Sequence, residues 1–82
     1  MKVKLSEKDK MFICRVGEKC MENRESKHIT RRELSNYLDT TISMLYHFEH
    51  GNNNSMVMLV HYMSLSLISR CELETIRREV YA

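Results

Sequence analysis

Turn-forming residues are scarce in this chain, and that scarcity limits the folds open to it. It holds no proline and only two glycines, Gly17 and Gly51, among 82 residues. Few positions therefore invite a reversal, and most of the rest favour helix. The helix starts are encoded locally. Thr30 and Glu33 form a T-x-x-E capping box, in which each side chain satisfies an amide that the first helical turn leaves without a partner. Ser69 and Glu72 repeat the box, and Ser6 with Asp9 is a weaker version. Ile29 with Leu34, and Ile68 with Leu73, stand at hydrophobic-staple spacing across two of these starts.

Apolar periodicity divides the chain into five helices. The first starts at Ser6 and runs to about Asn23, with Phe12, Val16 and Cys20 on one face and Ile13 beside them. Gly17 in its middle costs up to ~1 kcal/mol of helix propensity and lets a neighbouring helix come close. Arg24 to His28 reads as a polar link. The second helix follows Thr30, with Leu34 and Leu38 at i, i+4. After Asp39-Thr40 a third helix starts with Thr41 as N-cap. Its Leu45 and Phe48 face back towards Leu34 and Leu38, and Gly51 stops it with a left-handed cap. The fourth runs from Ser55 or Met56 to about Leu65, with Val57, Val60, Met63 and Leu67 in register. Met56, Met58 and Leu59 make it apolar almost all round, the pattern of a central, buried helix. The fifth, 69–81, carries Leu73, Ile76 and Val80 on one stripe. With no strand signal, the expectation is an all-α, compact five-helix bundle forming one domain over residues 1–82.

A domain this small buries roughly 60% of its unfolded surface, so an activity must sit on a small core rather than in a deep cleft. The net charge of +2 hides an asymmetry: residues 1–32 hold ten Lys/Arg against five Asp/Glu, and residues 33–82 hold three against six. A basic first third suits a polyanionic partner, although a charge run is as readily a solvated face. No apolar run follows Lys2 and Lys4 as in a signal peptide, and no segment approaches a membrane span. The expectation is a cytoplasmic protein with reduced thiols and no membrane partner. Cys14, Cys20 and Cys71 lack paired ligand spacing, and His47 with His50 at i, i+3 offer only two ligands, so neither a metal nor another cofactor is expected and the cysteines read as small core residues. No glycine-rich phosphate loop, G-x-S-x-G or H-E-x-x-H is present, and the expectation is not an enzyme.

Residues 30–51 carry the functional signal. Two short helices joined by a tight turn are the layout of a DNA reader, and the outward face of the second presents Ser43, Tyr46, His47 and His50 at i, i+3, i+4, i+7. The run E-L-x-x-x-L, then Asp39-Thr40-Thr41, then Leu45 and Phe48-Glu49-His50-Gly51, resembles the Cro/repressor-type helix-turn-helix family, also called the xenobiotic-response-element (XRE) family. The resemblance covers roughly residues 12–67. It implies a five-helix domain whose third helix enters the major groove, working as a homodimer on double-stranded DNA. Carried over, it gives Arg31 a phosphate contact, with Arg32 beside it. It gives Thr41, Ile42, Ser43, Tyr46 and His47 contacts to bases or backbone, with His50 on the same stripe. Asn52 and Asn53 fall where the loop approaches the second strand's phosphates.

This sequence departs from the family's pattern in three places, one being a link before Ile29 longer by about one turn than is usual between the first two helices. Asp39 stands where glycine is usual, at a position wanting φ > 0. The reading helix has no Lys or Arg and contains Glu49, so the commonest side-chain contact to guanine is missing. The terminal stripe Leu73, Ile76, Val80 with Tyr81 reads as a dimer seam. The functional expectation is a sequence-specific transcriptional regulator, a repressor of a phage, plasmid or other mobile element. Two alternatives share the fold: a protein-interaction module acting as antirepressor or adaptor, and a DNA-binding accessory factor for plasmid transfer or recombination.

Overall fold

The computed structural model describes residues 5–52 and 55–82. It contains five α-helices: α1 (Glu7–Ser26), α2 (Arg31–Leu38), α3 (Ile42–Glu49), α4 (Met56–Ser64) and α5 (Arg70–Tyr81). No strand occurs among the described residues, and the all-α, five-helix architecture expected from the periodicity holds. Each helix starts at a residue whose hydroxyl caps it: Ser6, Thr30, Thr41, Ser55 and Ser69. Reciprocal capping boxes form at Ser6–Asp9, Thr30–Glu33 and Ser69–Glu72.

The four links share one device. Among the described residues each contains one with positive φ: His28 at 59°, Asp39 at 53°, Gly51 at 76° and Ser66 at 58°. At each link the next amide reaches back five residues to a helical carbonyl: Ile29 to Arg24, Thr40 to Ser35, Asn52 to His47 and Leu67 to Tyr62, at 2.8–3.2 Å. This is the Schellman closure, which satisfies carbonyls left open by the last turn. Only one of the four positions is glycine. The chain meets its shortage of glycine with His, Asp and Ser in the left-handed region, each at some steric cost.

The core gathers Val16 and Cys20 of α1, Leu34 of α2, Leu45 and Phe48 of α3, Met58 and Tyr62 of α4, Leu67 and Ile68 of the following link, and Ile76 and Val80 of α5. Long α1 is the spine, packing against α5 on one side and α3 on another, while α2 packs on α3. Gly17 faces the end of α3: a Cβ there would lie 2.5 Å from the Phe48 carbonyl oxygen and 2.7 Å from that of Glu49. Gly51 lies against α1 from the other side, where a Cβ would meet Cys14 Sγ at 2.5 Å. Both glycines of the chain are thus used where α1 meets the C-terminal end of α3.

Four expectations need correcting. Residues Arg24 to His28 are not a polar link: α1 continues to Ser26, and Arg24 is buried. The fourth helix is not enclosed. Only Met58 and Tyr62 are buried, whereas Met56, Val57, Val60 and Met63 are 69%, 65%, 50% and 39% exposed. A nine-residue helix packed through one side leaves its opposite side uncovered, however apolar the residues there. The stripe on α5 is largely internal: Ile76 and Val80 belong to the core of the single chain, and Leu73 packs against it. Tyr81 is partly exposed, but its hydroxyl donates to Asp9 and its ring contacts Phe12. Among the cysteines only Cys20 is buried; Cys14 and Cys71 lie at the surface. No helix among the described residues is long and apolar enough to cross a membrane.

Candidate nucleic-acid interface

The turn between α2 and α3 determines what α3 presents. Asp39 in the left-handed region closes α2, the Thr41 hydroxyl accepts the Met44 amide, and α3 leaves with Leu45, Phe48 and Glu49 inward. Thr41, Ile42, Ser43, Met44, Tyr46, His47 and His50 then lie at the surface, as does Asn52 just beyond. Asn53 falls outside the described residues.

Glu49 does not belong to the exposed face. It is 2% exposed, and its carboxylate accepts four hydrogen bonds. Arg24 donates from Nε to Oε2 at 2.8 Å and from Nη2 to Oε1 at 3.1 Å. Arg31 donates from Nε to Oε1 at 2.9 Å, and the Tyr62 hydroxyl donates to Oε2 at 2.6 Å. Burial pushes the Glu49 carboxyl up, but the bonds from Arg24, Tyr62 and Arg31 outweigh it and hold the group below the usual 4.5. The Tyr62 hydroxyl is pushed up by burial and by its bond to Glu49. No buried side-chain polar atom among the described residues lacks a hydrogen-bond partner.

The network joins four helices: α1 through Arg24, α2 through Arg31, α3 through Glu49 and α4 through Tyr62. Arg24 Nη1 also donates to the Ile29 carbonyl at 2.7 Å, fixing the α1–α2 link. Sequence reasoning missed this cluster, although a signal existed. Three of the four members continue an apolar stripe: Val16, Cys20, Arg24; Leu45, Glu49; Met58, Tyr62, all at steps of four. Polar groups of complementary chemistry on several inward stripes have to meet one another.

Arg31 therefore does three things. Nε pairs with the buried carboxylate, Nη2 reaches Met21 Sδ at 3.4 Å, and the guanidinium lies 5.0 Å from the centre of the Tyr46 ring. Tyr46 in turn stacks on His50, ring centres 4.0 Å apart, and meets His47 edge-on at 5.7 Å. The His50 ring is anchored through Nδ1 to the Tyr46 carbonyl at 2.9 Å. The structure thus brings Arg31, Tyr46, His47 and His50 into one half-exposed cluster. Arg32 stands exposed on α2.

Much of the basic surplus in the first third is committed elsewhere. Arg24 is internal, Arg15 pairs with Glu79 at 3.2 Å, Lys10 with Glu7 at 3.6 Å, and Lys19 with Glu22 and Glu72. Among the described residues no group of three or more His, Cys, Asp or Glu is placed to hold a metal ion. None of the family models, curated proteins or solved structures with which the chain was compared matches it.

Proposed function

We propose that the chain is a sequence-specific DNA-binding regulator of transcription, a repressor of the kind carried by phages, plasmids and other mobile elements. In this reading it acts as a homodimer with α3 of each copy in the major groove. The observation that carries the reading is the sorting of side chains on α3. Its one acid is turned inward and neutralised, while Ile42, Ser43, Tyr46, His47 and His50 face outward.

An exposed carboxylate on that helix would repel phosphate, so enclosing it removes the main electrostatic objection. Ile42 suits a thymine methyl, and Ser43, Tyr46 and His47 suit base edges or phosphate oxygens. Arg31 keeps Nη1 for a phosphate, and Arg32 supplies a second cation. With no arginine on α3 itself, phosphate contacts carry most of the affinity, so binding should weaken steeply with salt.

The test is fluorescence anisotropy with a random-sequence duplex pool at low and moderate salt, followed by sequencing of the bound fraction. Enrichment of a two-fold symmetric site, half-sites about one helical turn apart, supports the proposal. Salt-sensitive binding that enriches nothing fits an accessory factor for transfer or recombination. Absence of binding at either salt ends the DNA reading in favour of a protein-interaction module.

A further inference from the structure

We infer that the exposed side of α4 is the seam of a symmetric dimer, and that its occupant is the same side of a second copy. This deepens the homodimer part of the preceding reading and relocates the contact expected on α5, whose Ile76 and Val80 are already spent inside one chain.

Met56, Val57, Val60 and Met63 form the stripe, each between 39% and 69% exposed. The opposite side of the helix is rooted by Met58 and Tyr62, at 3% and 0%. Beside the N-terminal end of the stripe an apolar groove runs between α1, α3 and α4. It has a volume of about 200 Å³ and is lined chiefly by Phe12, Ile13, Val16, Phe48, Met56 and Leu59. Projecting methionine and valine side chains therefore adjoin an apolar hollow on the same face. That combination is self-complementary, as a two-fold interface requires, since one patch supplies both knob and recess. Methionine, unbranched and flexible, suits insertion into such a hollow.

Charge identifies the occupant. From His50 to Ser69 the sequence contains no Asp, Glu, Lys or Arg, although 24 of its 82 residues are of these types. Near a two-fold axis each residue lies close to its own copy, so a single charge there meets its like. An uncharged strip is what such an axis tolerates. A different protein partner would be steered by complementary charge, and a membrane-surface helix carries Lys or Arg on its polar side. This strip has neither.

Area sets the strength. The four exposed residues offer on the order of 400 Å², the size of the largest apolar patch on a typical monomer. A standard interface takes about 800 Å² from each partner, so even with the groove the contact falls at the weak end. The dimer is thus weak and reversible, and is tightened when two copies share one duplex.

Sedimentation equilibrium of the full chain, with no nucleic acid present, tests the seam. The apparent mass should climb from the monomer's 9.8 kDa towards twice that between about 1 µM and 1 mM, the range spanned by weak complexes. Val60→Glu should remain monomeric throughout with an unchanged far-UV spectrum and melting temperature, because Val60 is surface-exposed. In the wild type with methyl-labelled methionine, Met56 and Met63 signals should shift with concentration, while those of Met21 and Met44 should not.

A wild type still monomeric at 1 mM, a Val60→Glu chain that dimerises equally well, or shifts confined to Met21 and Met44 would each overturn the inference. A dimeric wild type that binds no duplex leaves the seam standing and ends the DNA reading. Conversely, if Val60→Glu dimerises normally and the wild type binds a symmetric site, the seam fails and the DNA reading survives.

Discussion

The Nε of Arg31 donates to Oε1 of Glu49 at 2.9 Å, linking an α2 cation at the protein surface to a carboxylate sealed in the core. Arg24 and Tyr62 hold the other side of that carboxylate. The outer face of α3 and the helix's orientation in the bundle therefore depend on one residue that never meets solvent. Removing Glu49 leaves Arg24 buried with its charge unpaired, and breaking a buried pair in this way costs about 3–5 kcal/mol. Glu49→Ala should accordingly lose most of the stability of so small a domain, read by urea denaturation. A loss below about 1 kcal/mol, the scale of a surface ion pair, would show the network to be unimportant.

The same carboxylate fixes the acid side of the stability profile. Its folded value lies below the usual 4.5 of a free glutamate. A depressed value contributes stability that is fully present above the unfolded value and is lost as pH falls through the folded one. The urea midpoint should therefore fall as pH is lowered below about 4.5, and Glu49→Gln should reduce that dependence while lowering stability at pH 7. An identical slope in the variant would assign the acid sensitivity to other carboxylates.

Gly17 offers a test in which two effects have opposite sign. Helix propensity alone predicts that Gly17→Ala stabilises α1 by up to ~1 kcal/mol. The added Cβ would, however, lie 2.5 Å and 2.7 Å from backbone oxygens of Phe48 and Glu49, which cannot swing aside as a side chain can. Overpacking of this kind costs about 1–3 kcal/mol, so the expected net result is a lower melting temperature. A raised melting temperature would mean that α1 and α3 separate at little cost.

What the sequence revealed and what it hid divide by range. Capping hydroxyls, staples and the left-handed turn residues Asp39 and Gly51 act over three to five residues, and they were legible. The end of α1 was misread because Arg24 looked like linker polarity, although it extends the stripe of Val16 and Cys20. Its meaning depends on Glu49, 25 positions away. The α4 face was hidden for a different reason: periodicity says which residues are apolar, whereas burial depends on which sides neighbouring helices cover. For the candidate interface, the outward set on α3 was readable from its spacing. The stacking of Arg31, Tyr46 and His50 was not, because it requires the packing angle between α2 and α3.

Two left-handed residues separate stability from recognition. Ser66 and Asp39 both occupy φ near 55°, where a non-glycine residue is strained by ~1–2 kcal/mol, and glycine returns part of that through its freer unfolded chain. Ser66→Gly and Asp39→Gly should each stabilise the fold by up to about 1 kcal/mol, a rise of roughly 4–8 °C in melting temperature. Only Asp39→Gly also removes a negative charge from the α2–α3 turn, where the proposed duplex lies. It alone should tighten DNA binding, measured by anisotropy at fixed salt. Equal effects of both variants on binding would move the duplex away from that turn.

Arg31 is a poor residue with which to probe phosphate contact, because Arg31→Ala also strips a partner from Glu49 and loosens the α2–α3 packing. Arg32 is the cleaner probe: it is exposed and outside the network. If the proposed docking holds, Arg32→Ala should weaken binding to all sequences alike and reduce the salt slope by about one, with folding unchanged. His47→Ala should act differently. His47 touches the core network nowhere and faces outward beside Tyr46, so its loss should leave the salt slope nearly intact and flatten sequence preference at one position of each half-site. Tyr46→Phe would then isolate the hydroxyl, since the ring remains to stack on His50 and beneath Arg31. Titrating each variant against an enriched duplex and a scrambled one, at three salt concentrations, separates the outcomes. If all three match the wild type on both duplexes, α3 is not the reading helix, and any DNA contact lies elsewhere on the molecule.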